Sequence, residues 1–421
     1  MNVLWLVNII FPYPAKKMGM SENCFGGWLP SMYLELSKNE DINFCIVTSY
    51  SGDDLKKFKN KNTTYYLVPD KNCLEYSEES KKYYREIVSE FHPDIVHIHG
   101  TEYPRGLIFQ DCNFNIPVVT SIQGLISNVS NVYYSNITFS EILKNITFRD
   151  ILRRQTIFND KKSFEKRIKY EREIIEKSNY VIGRTIWDKA NVLSIVPDMK
   201  YFSVNECLRD TFYNNKEWNI DSIERHSIFC SQASYPIKGL HVLIKALHIL
   251  KGKYPDVKLY IAGNNIIDCS SFKKKIRLTG YGKYIRSLVK KYDLFDNIEF
   301  TGLLNQDEIA KRYLKSNVFV LSSYTENESN SLSEAKILGV PCVCSYVGGV
   351  TQRVHHDEDG FLYPCNEAEV LAYYVDKIFG DDNLAKKLSK NSIKNIKDVV
   401  DVKKNCNEIV KIYNSILKEE V

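Results

Sequence analysis

Two glutamates eight positions apart stand out in the stretch SSYTENESNSLSEAKILGVPCV, residues 322–343: Glu326 and Glu334. The stretch leaves an apolar run, crosses a short polar loop and enters a helical pattern at about Leu332. Glu334 then falls in the first turns of that helix. A carboxylate there can accept two hydrogen bonds from a vicinal diol such as a ribose. The backbone N–H groups of Asn330, Ser331 and Leu332 lie at the helix mouth without intrahelical acceptors, open to a sugar hydroxyl or a phosphate. The same residues also suit a plain capping loop with first-turn acids, and spacing alone fits both.

Three other places carry chemistry. In YPIKGLHVLIKALHIL, Lys238 and Gly239 open a helix whose apolar residues fall at 240, 243, 244, 247 and 250. A lysine at a helix mouth adds a point charge to the dipole and suits a diphosphate, although a surface lysine at a turn has the same look. Gly26 and Gly27 stand just before the first helix, where glycine lets a phosphate approach the backbone closely. No G-x-G-x-x-G follows the first strand, which disfavours a nicotinamide enzyme. FHPDIVHIHG ends a strand with His97 and His99 on one side by alternation. His99 is nearer the strand end, as a functional group or as a histidine bonded to backbone.

The elements that must hold these residues follow from periodicity. Val3–Val7, Asn43–Thr48, Asp94–His99 and Pro117–Thr120 read as buried strands, with amphipathic stretches such as Trp28–Ser37 and Ser77–Phe91 between them. Strand, helix, strand in that order implies right-handed crossovers and parallel sheets. After Tyr180–Gly183, a polar Asn-rich stretch at 203–224 reads as an interdomain hinge. A second series then runs through strands Ser227–Cys230, Lys258–Ala262, Asn297–Phe300, Val318–Leu321 and Pro341–Ser345, with helices between. The expected division is 1–204, 222–400 and a last helix, 401–421, packed back on the first domain. Ligands of such doubly wound sheets bind outside the carboxyl ends of the strands, where all the residues above fall.

Composition sets the class. The 421 residues are 44% hydrophobic and 26% charged, ordinary for a globular chain and outside the ranges of disordered or collagenous ones. A net charge of +5 is too small to argue for nucleic acid. Eleven scattered cysteines, an odd number with no C-x-x-C pair, read as free thiols of a reducing cytoplasm. The apolar start, MNVLWLVNIIF, lacks a basic leader and is cut by Pro12 and Pro14, so a first strand is expected rather than a signal peptide. No run reaches the ~18 apolar residues of a membrane span. Residues 141–172 carry ten Lys/Arg against five Asp/Glu, a net of +5. That segment is either a solvated helical face or a surface for anionic headgroups or an acceptor's phosphates.

The 322–343 stretch resembles the E-x7-E signature of the retaining family 4 glycosyltransferases of GT-B fold, including its continuation EA-x-x-x-G-x-P-C-V and the pair Gly348–Gly349. ENESNSLSEA is close to the ENSPNSLGEA form in members that assemble bacterial polysaccharides. The resemblance implies two Rossmann-like lobes facing across a cleft. It implies that Glu334 holds the nucleotide ribose and that Glu326 lies by the donor sugar. Lys238–Gly239 is similar to the family's R-x5-K-G element, whose two cations grip the donor diphosphate. Gln232 stands where that arginine would be, and Arg184, at another strand end, is the candidate substitute. Gly26–Gly27 match the family's first-lobe glycine loop, and His99 fits its histidine beside the donor sugar. Gln123 stands where a second histidine is frequent. The acidic run 357–359 resembles the family's variable turn, and no metal or other cofactor is expected.

The resulting expectation is a hexosyltransferase-class enzyme. It moves a sugar from a nucleotide-sugar donor, UDP-linked, to a hydroxyl of a glycan or lipid-linked oligosaccharide with retention, in capsule, O-antigen or exopolysaccharide assembly. By resemblance, the acceptor attacks from the leaving-group face and the departing phosphate takes its proton, with Lys238, Glu326 and His99 at the reacting centre. Two other readings stay open: a nucleotide-sugar-binding partner without turnover, suggested by Gln232, and a same-fold UDP-sugar epimerase. The expected place is cytoplasmic, at the inner face of the membrane if the basic segment meets anionic lipid.

Overall fold

The computed structural model describes residues 1–20 and 27–419. Two compact units emerge. One comprises Met1–Ser127, Lys166–Arg209 and Val399–Val421, the other Asn128–Glu165 and Asp210–Asp398. Residues 128–165, assigned from sequence to the first domain, are therefore part of the second. Within them, helix Phe139–Asn145 packs on Gly280–Lys291 and helix Phe148–Arg153 on Phe272–Arg277, partnerships between distant segments that no local pattern encodes.

The first unit is built on eight strands: β1 (Asn2–Leu6), β2 (Asn43–Tyr50), β3 (Lys56–Asn60), β4 (Thr63–Pro69), β5 (Ile95–His99), β6 (Val118–Ser121), β7 (Tyr180–Gly183) and β8 (Lys200–Ser203). Their order is β3-β4-β2-β1-β5-β6-β7-β8, parallel except for the β3–β4 pair. Alternation divides the apolar strands between two faces. Val3, Trp5, Phe44 and Ile46 enter one core with Leu29, Met32 and Leu36 of helix Trp28–Leu36 and Ile409, Ile412 and Ile416 of helix Val402–Glu419. Leu4, Leu6, Cys45 and Val47 enter the other with Tyr84 and Ile87 of helix Lys81–Phe91.

The second unit carries six parallel strands: β9 (Glu224–Cys230), β10 (Lys258–Ala262), β11 (Ile298–Gly302), β12 (Ser316–Leu321), β13 (Cys342–Ser345) and β14 (Phe361–Tyr363), ordered β11-β10-β9-β12-β13-β14. The order reverses between β9 and β12, which makes their carboxyl ends the topological switch point. Helix Asn330–Leu338 leaves the loop after β12, and its interior side is buried through Leu332, Ala335 and Leu338. Strands β3, β4, β8 and β14 were not expected from sequence; KKFKN and KYFS carry no apolar run, whereas TTYYLVP of β4 is largely buried between β3 and β2. The ten described cysteines are unpaired.

Candidate functional site

In the second unit, the loops after β9 and β12 are stitched together. Ser322 Oγ donates to the Lys238 carbonyl at 2.8 Å, and Tyr324 N–H donates to the Ile237 carbonyl at 2.8 Å. The fit leaves no room at Gly239, which has φ +69°; a Cβ there would lie 1.9 Å from the Ser322 carbonyl oxygen. Gly239 therefore ends the short 3-10 turn Pro236–Lys238 and starts helix Leu240–Lys253 in a left-handed conformation open to glycine. The expected single helix from Lys238 is thus two pieces with a glycine joint.

That stitching brings Lys238 and Glu326 together across 88 positions of sequence. Lys238 Nζ donates to Glu326 Oε1 at 2.6 Å, and Ser323 Oγ donates to the same oxygen at 2.7 Å. Burial pulls the lysine's pKa down, but the charge of Glu326 outweighs it and holds the ammonium above the ordinary lysine range. Gly348, at φ +45°, lies under the Glu326 carbonyl, where a Cβ would come to 2.0 Å; Gly349 N–H donates to that carbonyl at 3.1 Å. The glycine pair thus lets the β13 end pass beneath the first glutamate.

Gln232, Lys238, Ser322, Ser323 and Ser331 line a small cavity of about 20 Å³ at the ends of β9 and β12, about one water in size. Ser329 caps helix Asn330–Leu338, its Oγ accepting from Leu332 N–H at 3.4 Å. Asn330, Ser331 and Leu332 form the first turn of that helix, and Glu334 follows in its second turn, buried. The cationic group, the helix mouth and a carboxylate thus share one strand-end locus. The sequence reading missed Ser322 and Ser323, whose small hydroxyls at a strand end were the available signal.

The first unit holds the remaining candidates. His97 and His99 share a face of β5, their rings stacked at 3.8 Å. His97 bonds the Tyr413 hydroxyl through Nδ1 and Ser121 Oγ through Nε2, both at 2.6 Å, and burial lowers its pKa to about 3. His99 is equally buried, between Trp5 and Trp28, and its two ring nitrogens lack hydrogen-bond partners among the described residues. An unpaired buried imidazole is costly and calls for an explanation beyond packing. Burial, then the neighbouring His97 and Arg184, hold it neutral. Glu102, two positions past Gly100, accepts from Gly124 N–H at 3.0 Å and Asn8 Nδ2 at 3.2 Å, and burial raises its carboxyl pKa.

Arg184 differs from expectation. Its guanidinium is buried, pairs with Glu206 at 2.6 Å and donates to the Ile122 carbonyl at 2.7 Å. A side chain committed to two internal acceptors in the first unit is not a free cation for a diphosphate, so the vacancy at Gln232 is not filled by it. Gly27 caps helix Trp28–Leu36 in an ordinary right-handed conformation. Gly26 lies outside the described residues. Among the described residues, no three His, Cys, Asp or Glu side chains converge as a metal-ligand group. No helix among them is long and apolar enough to cross a membrane.

Two α/β units on parallel sheets, with Lys238, Glu326 and Glu334 at the switch point of the second, have the architecture of the GT-B fold. The structural comparison shows the same fold. Sucrose-phosphate synthase from Thermosynechococcus elongatus superposes with a TM-score of 0.72 at 16% identity, covering 99% of both chains. HepE from Anabaena, solved in complex with UDP-glucose, gives 0.67 at 13% identity over 99% of this chain and 100% of its own. Residues 214–395 match the family described as glycosyl transferases group 1, and the chain is a glycosyltransferase. YtcC of Bacillus subtilis, named as a glycosyltransferase, is 26% identical over 88% of this chain and 86% of its own. CapM of Staphylococcus aureus, named for capsular polysaccharide biosynthesis, is 28% identical over 43% of this chain and 44% of its own.

Proposed function

We propose that this glycosyltransferase takes its sugar from a UDP-linked donor and delivers it, with retention, to a hydroxyl of a growing surface glycan or lipid-linked oligosaccharide. The observation that carries the reading is the 2.6 Å contact of Lys238 with Glu326 beside the mouth of helix Asn330–Leu338. In sugar transfer the transition state is oxocarbenium-like and negative charge collects on the leaving diphosphate. Lys238 and the positive end of helix Asn330–Leu338 are the groups we assign to that charge, the arrangement that lowers such barriers. No step in this reading passes through a metal ion. Glu334 takes the ribose diol, and Glu326, held by Lys238 and Ser323 on one oxygen, orients the sugar.

Retention by double displacement needs a free carboxylate across the anomeric carbon. Glu326 is tied into an ion pair, which makes it a weak nucleophile and favours acceptor attack from the leaving-group face, with the departing phosphate taking the proton. The buried, unpartnered ring nitrogens of His99 support keeping it as a candidate contact for the sugar. The UDP donor is supported by HepE, solved with UDP-glucose, and the glycan acceptor by CapM's name.

The test is thermal-shift screening against UDP, GDP and their sugars, followed by turnover with glycan and lipid-linked acceptors and NMR of the product's anomeric configuration. UDP raises the melting temperature by mass action if the assignment holds. UDP release without an acceptor, with an epimerised sugar in the products, or donor binding without turnover across the acceptor panel, overturns it.

A further inference from the structure

We propose that the second unit docks on an anionic lipid surface through three short helices, Phe139–Asn145, Phe148–Arg153 and Phe272–Arg277. Each presents an outward pair of apolar residues one turn apart: Phe139 and Leu143, Phe148 and Leu152, Phe272 and Ile276. Phe148 is 72% exposed and Phe272 80%, far beyond what a scattered surface apolar residue needs. The second and third helices pack on one another, and the first packs on helix Gly280–Lys291, which follows the third in the chain.

These helices are well formed. Thr138 with Glu141, and Thr147 with Asp150, make reciprocal capping boxes. Tyr284 Oη donates to Glu141 Oε1 at 3.3 Å, and Lys283 Nζ donates to the Lys144 carbonyl at 2.9 Å. The inward positions are filled by Ile142 and the capping Asp150, so the outward aromatic and aliphatic residues are not part of this unit's core.

Charge decides the partner. Lys144, Arg153, Arg154, Lys273, Lys275 and Arg277 are exposed, and no acidic side chain of the described residues pairs with them. The acids of the two first helices, Glu141 and Asp150, are used in their caps. Each helix sets cations beside its apolar pair, Lys144 in the first, Arg153 in the second and Lys273, Lys275 and Arg277 in the third, and the apolar pairs stand outward. A lipid surface accepts both at once. Apolar side chains enter beneath the headgroups, while ammonium and guanidinium groups stay at phosphate level. The basic run noticed in the sequence supplies only part of this face; helix Phe272–Arg277, FKKKIR, joins it through the fold.

The test uses the full chain and sedimentation with vesicles of phosphatidylcholine, alone or with one-third phosphatidylglycerol. Binding is expected to the anionic vesicles only and to weaken as salt rises. The double variants F148S/L152S and R153E/K275E should each lower partitioning at least tenfold, since one cation near such a surface is worth about fivefold. Circular dichroism and turnover on a water-soluble acceptor should stay at the wild-type level, because none of these residues touches the donor locus. Equal binding to neutral vesicles, no vesicle binding by the wild type, or unchanged binding by both variants overturns the proposal. So does a concentration-dependent dimer in sedimentation that F148S/L152S dissolves, which assigns the face to a second copy. Failure here leaves the donor reading intact, because that reading stands on a different set of residues.

Discussion

Lys238 and Glu326 offer the sharpest perturbation. Their side chains are 17% and 13% exposed, with Nζ and Oε1 at 2.6 Å. Replacing Lys238 by Met leaves a mostly buried carboxylate without its cation. Breaking a fully sealed pair costs about 3–5 kcal/mol, and the residual exposure here lowers that to about 2–3 kcal/mol. The same substitution removes the donor proposed for the diphosphate and should cut turnover about 10²–10³-fold. The double variant K238M/E326Q separates the two roles. Removing both charges relieves the unpaired carboxylate, so denaturant titration should show most of the lost stability restored. Turnover should stay at the level of K238M or below it, because neither the diphosphate nor the sugar regains a partner. If turnover climbs back with stability, the pair is a staple of the fold and the catalytic reasoning is refuted.

Other outcomes follow from the same geometry. Glu334→Gln weakens UDP binding by about 10–100-fold in calorimetry, the worth of one charge-assisted bond, with little change in unfolding; unchanged affinity removes Glu334 from the ribose. Gly239→Ala puts a Cβ 1.9 Å from the Ser322 carbonyl at φ +69°. It should cost about 1–3 kcal/mol or more and weaken UDP binding with it, and a variant as stable as wild type counts against the stitched loops. His241 is buried against Tyr281, Tyr324 and the Ser135 carbonyl, with Lys245 and Glu141 nearby, and burial lowers its pKa from 6.5 to about 4. Between those values the unfolded chain holds the extra proton, so stability is lost as pH falls from about 6.5 towards 4, by roughly 3 kcal/mol for this group. Urea titrations at pH 7 and pH 5 should show that slope flattened in His241→Gln. Turnover unchanged by EDTA is expected where Lys238 and helix N–H groups meet the diphosphate charge, and a loss restored by a divalent cation would reassign that role.

The sequence by itself determined whatever depends on near neighbours. Alternation placed Val3, Trp5, Leu4 and Leu6 on the faces of a first strand, and the crossovers made the sheets parallel. The loop-to-helix passage at 322–343 and the Lys238–Gly239 helix mouth were legible because caps, glycine joints and helix starts are set within a few residues. Tertiary structure decided the rest. It joined Lys238 to Glu326 across 88 positions and His97 to Tyr413 across 316. It committed Arg184 to Glu206, and it moved residues 128–165 into the second unit, where Tyr284 meets Glu141. Local periodicity says which side of an element is apolar, but not which distant element will cover it. That choice is made by the packing of whole faces and by the need of each buried charge for a partner, and both are properties of the assembled chain.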